Sequence, residues 1–196
     1  CESLLIEMLL EGESIDDPLA LQLLDSPIME RLKEIDQHGV VRYALPMPKM
    51  SRWSHSVGVY ALLVRVGAPR VEQIAGLLHD TSHTAFSHVG DHLFQQIGED
   101  HSYQDTIHLW YLREMGVEPM LKAHGFSIEE MDPDRPEYRA LEQPLPDLCA
   151  DRIEYNLHTA LLLDLLSEDE VREILDALRY DGTDWYFTSL PAARLL

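Results

Sequence analysis

Gly67 and Pro69 break one long apolar stretch into two helical runs, and this break limits the fold more than any other feature. His55–Val66 is apolar on most sides, and Arg70–His79 puts Val71, Ile74, Ala75 and Leu78 on one face. A glycine at a helix end followed closely by proline is a usual stop signal. Two helices joined by so short a turn pack antiparallel. His55 lies twelve residues before Gly67 and His79 twelve after it. In an antiparallel pair those positions stand side by side, ~18 Å from the turn at a rise of ~1.5 Å per residue. The turn therefore brings two imidazoles together. Asp80 follows at the helix end, and His83 shares the face of His79 if the helix continues.

The rest of the chain also reads as helix. Pro18–Leu24 and Pro27–Asp36 start with proline directly after the capping residues Asp17 and Ser26. Tyr43–Trp53, with Pro46 and Pro48, reads as a loop. Ser102–Met115 is a further helix, ending before Gly116. Ser127–Asp147, with four prolines and many acids, reads as a loop or linker. Asp147 should cap a helix running to about Leu166, followed by another over Glu168–Leu178. Arg179–Phe187 resembles a small hairpin turning at Asp181-Gly182. Strand signals are few and are not interleaved with the helices, so the expected class is all-α with one late β-hairpin.

The 196 residues suit a single domain over 1–196, with a core at about 17–166 and a C-terminal helix and hairpin at 167–196. The chain does not begin with Met, so a fragment of a longer protein, or a processed form, is expected. Cys1 and Cys149 make no disulfide framework, which points to a reducing, cytoplasmic setting. Apolar runs fall short of the ~18–20 residues of a membrane span. Glu2 and Glu7 stand where a secretory signal would be basic or apolar. Thirty-five acidic against fifteen basic residues give a net charge of −20. Such a surface repels nucleic acid and anionic membranes. A phosphate ligand would need a metal, or aimed Arg and Lys, to overcome that field.

Two imidazoles and a carboxylate, His55, His79 and Asp80, make a site for a divalent transition metal. The best distant fourth ligand is Asp151 in "DLCADRIEY", which reads as lying inside a helix among Cys149, Ala150 and Ile153. Tyr155 and His158 continue a polar stripe at four and seven residues beyond it. Taken alone, any one of these histidines is more simply a hydrogen-bonded core residue. The symmetric pair with its adjacent aspartate favours a site. "HDTSH" also resembles the zinc-protease pattern H-E-x-x-H, but Asp80 is one methylene short of the required Glu and no third ligand follows at protease spacing.

Arg52-x-x-His55, then His79-Asp80, then Asp151 resembles the H…HD…D signature of the HD-domain metal-dependent phosphohydrolases. "HDTSHTAFSHVGD" is similar to a block of the deoxynucleoside triphosphate triphosphohydrolase branch. "DSPIMERLKEIDQHG" and "SRWSHSVGV" are similar to two further segments of that branch. The resemblance covers roughly Asp17 to His158. It implies an HD helical bundle holding one divalent ion (Mn, Fe, Mg, Ni, Co or Zn) on His55, His79, Asp80 and Asp151. It also implies phosphate contacts from Arg52, His88, Arg152 and Tyr155, with His83 near the phosphates. His101 matches the general acid and Asp91 its acidic helper. Gln37 and His38 fall at the sugar end, where the branch often has Gln-Leu. His158-Thr159 stands where the branch usually has an Arg-Asp pair. Both departures concern the sugar, not the metal.

The implied activity is hydrolysis of a phosphate ester or anhydride, a nucleotide first of all, by attack of a metal-activated water. A guanidinium can take a phosphate bidentately, and an imidazole titrates in the right range to protonate a leaving alkoxide. Two other readings stay open. One is a non-catalytic HD module that binds a nucleotide or protein partner; the other is an HD-type oxygenase with two irons, for which His83 and His88 could supply extra ligands. The expected partner is a small phosphorylated substrate, with no nucleic acid and no membrane. A homodimer is compatible with the family and with apolar termini.

Overall fold

The computed structural model describes residues 3–12, 14–86 and 102–196. The N-terminal helices are α1 (Leu4–Leu9), α2 (Pro18–Leu24), α3 (Pro27–Leu32) and the short α4 (Val41–Ala44). The central pair is α5 (Arg52–Arg65) and α6 (Arg70–Leu78). Then come α7 (Tyr103–Glu114), α8 (Val117–Ala123) and a single 3-10 turn at Glu129–Met131. The chain closes with α9 (Ala150–Leu162), α10 (Glu168–Ala177), a hairpin of β1 (Leu178–Tyr180) and β2 (Trp185–Phe187), and α11 (Leu190–Ala193). The two strands pair antiparallel with Leu178 opposite Phe187 and Tyr180 opposite Trp185. The class is all-α, as the sequence implies. Among the described residues no helix is long and apolar enough to cross a membrane.

Helix α5 is the axis of the molecule. Arg52 and every residue from Ser54 to Leu63 are buried, the condition of a helix packed on all sides. Val59, Ala61, Leu62 and Leu63 face one apolar cluster, shared with α1, α9, α10 and Trp185 of the hairpin. Val57 and Tyr60 face a second, shared with α2, α3, α6 and α8. The turn between α5 and α6 forms as its glycine predicts, with Gly67 at φ +71°. Close approach of the two helices depends on Gly76, where a Cβ would lie 2.4 Å from Leu63 Cδ1.

Several boundaries differ from the sequence reading, each for a local reason. Helix α5 begins at Arg52 rather than His55, because Ser51 accepts from Ser54 N (3.2 Å) and caps it. The helix from Pro27 ends at Leu32, not Asp36. Beyond it, Ile35 O accepts from Arg52 N (2.9 Å) and Gln37 N donates to Met50 O (2.7 Å), so tertiary bonds replace helical ones. Asp17 caps α2 through its carboxylate, whereas Ser26 spends its hydroxyl on Leu23 O. Helix α9 starts at Ala150, with Cys149 rather than Asp147 at the N-cap position and no side-chain cap, since Ala150 N is drawn to Ala140 O (2.8 Å). The hairpin turns over four residues, where the Asp181 carboxylate accepts from Thr183 N and Asp184 N (both 2.9 Å). Helix α8 has no counterpart in the sequence reading. It is short and holds Pro119 in its first turn, where a missing N–H costs little.

Candidate metal centre

Three elements converge on one point. His55 sits in the second turn of α5, His79 is the C-terminal cap of α6, and Asp80 follows in the next turn. Asp151 comes from the first turn of α9, not from a helix interior. The imidazole rings of His55 and His79 meet edge to face, centroids 5.1 Å apart. Among the described residues His55, His79 and Asp80 form a buried set whose ligand atoms lie within 4.8 Å of one another. The Asp151 carboxylate completes the ring, 2.8 Å from His55 Nε2 and 3.7 Å from His79 Nε2. His55 Nε2 lies 3.8 Å, and His79 Nε2 3.6 Å, from the Asp80 carboxylate. Donors that share one ion at ~2.0–2.2 Å stand roughly 3–4 Å apart, which is this spacing.

Hydrogen bonding gives each histidine its orientation. His79 Nδ1 donates to Gly76 O (2.7 Å), and His55 Nδ1 donates to the Glu154 carboxylate. Both Nε2 atoms are then left as bare acceptors. Both are buried and have no hydrogen-bond donor among the described residues; what faces them is carboxylate, Asp151 at 2.8 Å from His55 Nε2. Orphaned buried nitrogens are rare unless something else satisfies them.

The charges point the same way. Asp80, Asp151 and Glu154 crowd this site, and among the described residues Arg52 is the one fixed cation paired with them, at Asp80 Oδ2 (2.5 Å). Burial would push the Asp80 carboxyl up, but Arg52, His79 and His83 hold it well below the usual carboxylate range. Burial raises Asp151 too, and His55 and His79 more than offset that. Burial would drive both imidazoles down, yet the carboxylates raise them, most strongly Glu154 at His55 and Asp80 at His79. Without an ion, protons on the histidines must balance the acids. Three carboxylates against one guanidinium leave two negative charges, which a divalent cation would neutralise with both imidazoles uncharged. The donor set fits such an ion.

The centre opens on a cleft of about 1020 Å³, lined at this end by Gln37, Arg52, His79, Asp80, His83 and Asp151. The Asp151 side chain is 31% exposed, the open side of an otherwise closed cluster. His83 reaches Asp80 Oδ1 (3.2 Å), and its turn is pinned by Arg31, which donates to Thr81 O (3.2 Å) and His83 O. Arg52 lines the cleft floor while bound to Asp80. Arg152 stands behind the cleft wall, donating to Glu142 Oε1 (2.9 Å) and to the carbonyls of Gln143 and Asp147 (both 2.6 Å). Tyr155 sets its ring edge-on to His55, centroids 6.5 Å apart. The side-chain oxygen of Gln37 is buried, without a partner among the described residues. His88, Asp91 and His101 lie outside the described residues. The two departures at the sugar end meet in space, His38 Nε2 being 3.5 Å from Thr159 Oγ1.

Comparison with known proteins agrees with this geometry. No family model matches the chain. It is 36% identical over 178 residues to the metal-dependent phosphohydrolase cns2 of Cordyceps militaris, spanning 90% of this chain and 51% of that protein. The chain resembles the HD-domain metal-dependent phosphohydrolases. It is also 30% identical over 136 residues to human deoxynucleoside triphosphate triphosphohydrolase SAMHD1, covering 58% of this chain and 21% of that one. A crystal structure of a hypothetical protein from Aquifex aeolicus shares the fold, with a TM-score of 0.63 at 21% identity over 86% of this chain and 49% of that one. The chain thus spans about half the length of the first relative and of that structure. The His/His/Asp cluster fits a divalent metal cofactor.

The sequence reading did not single out Glu154, the buried carboxylate behind His55. Its signal was faint: one acid a helical turn beyond Asp151, facing Gly58 a turn beyond His55.

Proposed function

We propose that this chain carries the catalytic core of a metal-dependent phosphohydrolase that cleaves a phosphate ester or anhydride, a nucleotide in the first instance. The observation that carries the reading is the convergence of His55, His79, Asp80 and Asp151 at the floor of an open cleft. These four would hold one divalent ion. When bound, that ion polarises a phosphoryl oxygen and acidifies water. Arg52 keeps Asp80 ionised and places its guanidinium on the cleft floor, where a phosphoryl oxygen would arrive. His83, held by Asp80, presents an imidazole beside that position. Gln37 offers a buried carbonyl oxygen to a hydroxyl or amide of the ligand. His101, with Asp91, is assigned as proton donor to the leaving group by resemblance alone. The similarity to a triphosphohydrolase supports a nucleotide substrate, and the His38–Thr159 contact gives the sugar end its own chemistry.

The test pairs metal analysis with a phosphate- and triphosphate-release screen over nucleotides supplied with Mn, Mg, Co, Ni or Zn. The control is the double variant His79→Ala, Asp80→Ala. Release by the native protein and not by the control supports a phosphohydrolase. One metal per chain without release across the screen would replace it with a binding module. Two irons per chain would replace it with an oxygenase.

A further inference from the structure

Glu154 is fully buried and meets His55 at Nδ1, whereas Nε2 of the same ring faces Asp80 and Asp151. One of its oxygens accepts from His55 Nδ1 and the other from His158 Nδ1 (2.8 Å), one turn along the same helix. Its third side is the backbone of α5 at Gly58, where a Cβ would lie 2.3 Å from Oε1. A glycine at that position is what lets the carboxylate come so close.

We infer that Glu154 is the positioning residue of the metal centre, selecting the His55 tautomer and aiming its Nε2, with His158 and Gly58 locking it in place. The inference rests on the metal reading above. An imidazole ligates only through the nitrogen that carries no proton. A carboxylate oxygen set against Nδ1 accepts the ring proton there and turns Nε2 toward Asp80, Asp151 and His79. The two histidines differ in this respect. His79 leans on the backbone carbonyl of Gly76, His55 on a side-chain carboxylate. A carboxylate partner makes the ring the more basic donor. His55 is thereby the stronger of the two nitrogen donors, and Glu154 supplies one of the negative charges that a divalent ion balances.

The test measures dissociation constants for Mn²⁺ and Zn²⁺ by competition with a chromophoric chelator, and melting temperatures with and without metal. Glu154→Gln keeps the shape but not the charge. It is expected to weaken metal binding about tenfold to a hundredfold. The metal-induced rise in melting temperature should shrink by a matching amount. A merely structural role would lower both melting temperatures equally and leave the dissociation constants unchanged, and that result overturns the inference. Should Glu154→Gln fail to fold, His158→Gln loosens the carboxylate from its far side and is expected to weaken binding severalfold. Native affinity in that variant overturns the inference as well. If the native protein binds neither ion, the metal reading itself falls, an outcome distinct from native-like binding by the variants.

Discussion

His108 shows how a single buried residue links this fold to pH. Ser82 Oγ donates to its Nδ1 (3.1 Å), and its Nε2 donates to Met131 O (3.1 Å), so the ring is neutral with both nitrogens used. Burial pushes its pKa down to about 4 from an ordinary 6.5. Between those values the unfolded chain binds a proton that the folded one refuses. Stability is therefore full above pH 6.5 and falls as the pH drops toward 4, by on the order of 3 kcal/mol at a residue only 2% exposed. Urea unfolding from pH 7 to 4 should show this slope in the native protein and lose that part of it in His108→Gln. A difference between the two proteins that does not vary with pH would exclude this origin. At the same scale, the resemblance pointed to Arg52 and Arg152 as phosphate contacts, and the structure shows what each already holds. Arg52 is bound to a metal-site carboxylate and Arg152 to the cleft wall.

Among the elements, the pairing of α5 with α6 decides whether a centre exists at all. Gly76 sits at their contact, and its carbonyl also orients His79. An alanine Cβ there would lie 2.4 Å from Leu63 Cδ1 and 3.3 Å from Leu141 Cδ1, inside a fully buried cluster. Gly76→Ala is expected to cost about 1–3 kcal/mol, as overpacking of a tight core does. It should also weaken metal binding, because separating the helices moves His79 away from His55. Urea unfolding and chelator competition read the two effects. A variant with native stability would show that the helices have slack. Another element-level tie is Glu72 of α6, a buried carboxylate that accepts from the backbone N–H of Ala140 and Leu141 (2.8 and 2.9 Å). Ala140 O in turn receives Ala150 N and Trp185 Nε1 (3.1 Å), so one side chain joins the helix of His79 to the start of α9 and to the hairpin.

For the molecule as a whole, charge is the governing quantity. A net charge of −20 over 196 residues makes the folded state repel itself. Salt shortens the range of that repulsion to ~10 Å at 0.1 M. Raising NaCl from 10 to 300 mM (~30 Å to under 10 Å of screening length) should raise the melting temperature by a few degrees. A melting temperature that falls with salt would mean that surface ion pairs such as Arg70–Asp17 and Arg113–Glu129 outweigh the net charge. The same excess of acid reaches the metal centre, where a divalent ion is the natural counter-charge.

The sequence alone determined the helical class, the α5–α6 turn and the meeting of His55 with His79, because these follow from local signals. A glycine–proline stop and a 3.6-residue period act over a few residues and need no knowledge of the remaining chain. The HD motifs likewise lie in order along the sequence. Tertiary structure alone decided where α3 stops and where α9 starts, since competing bonds with Met50, Arg52 and Ala140 set those ends. It also decided that Glu154 backs His55, ninety-nine residues away, and that His38 touches Thr159. Contacts of that kind depend on the packing angle between helices, and that angle is fixed by the whole core rather than by any segment of it.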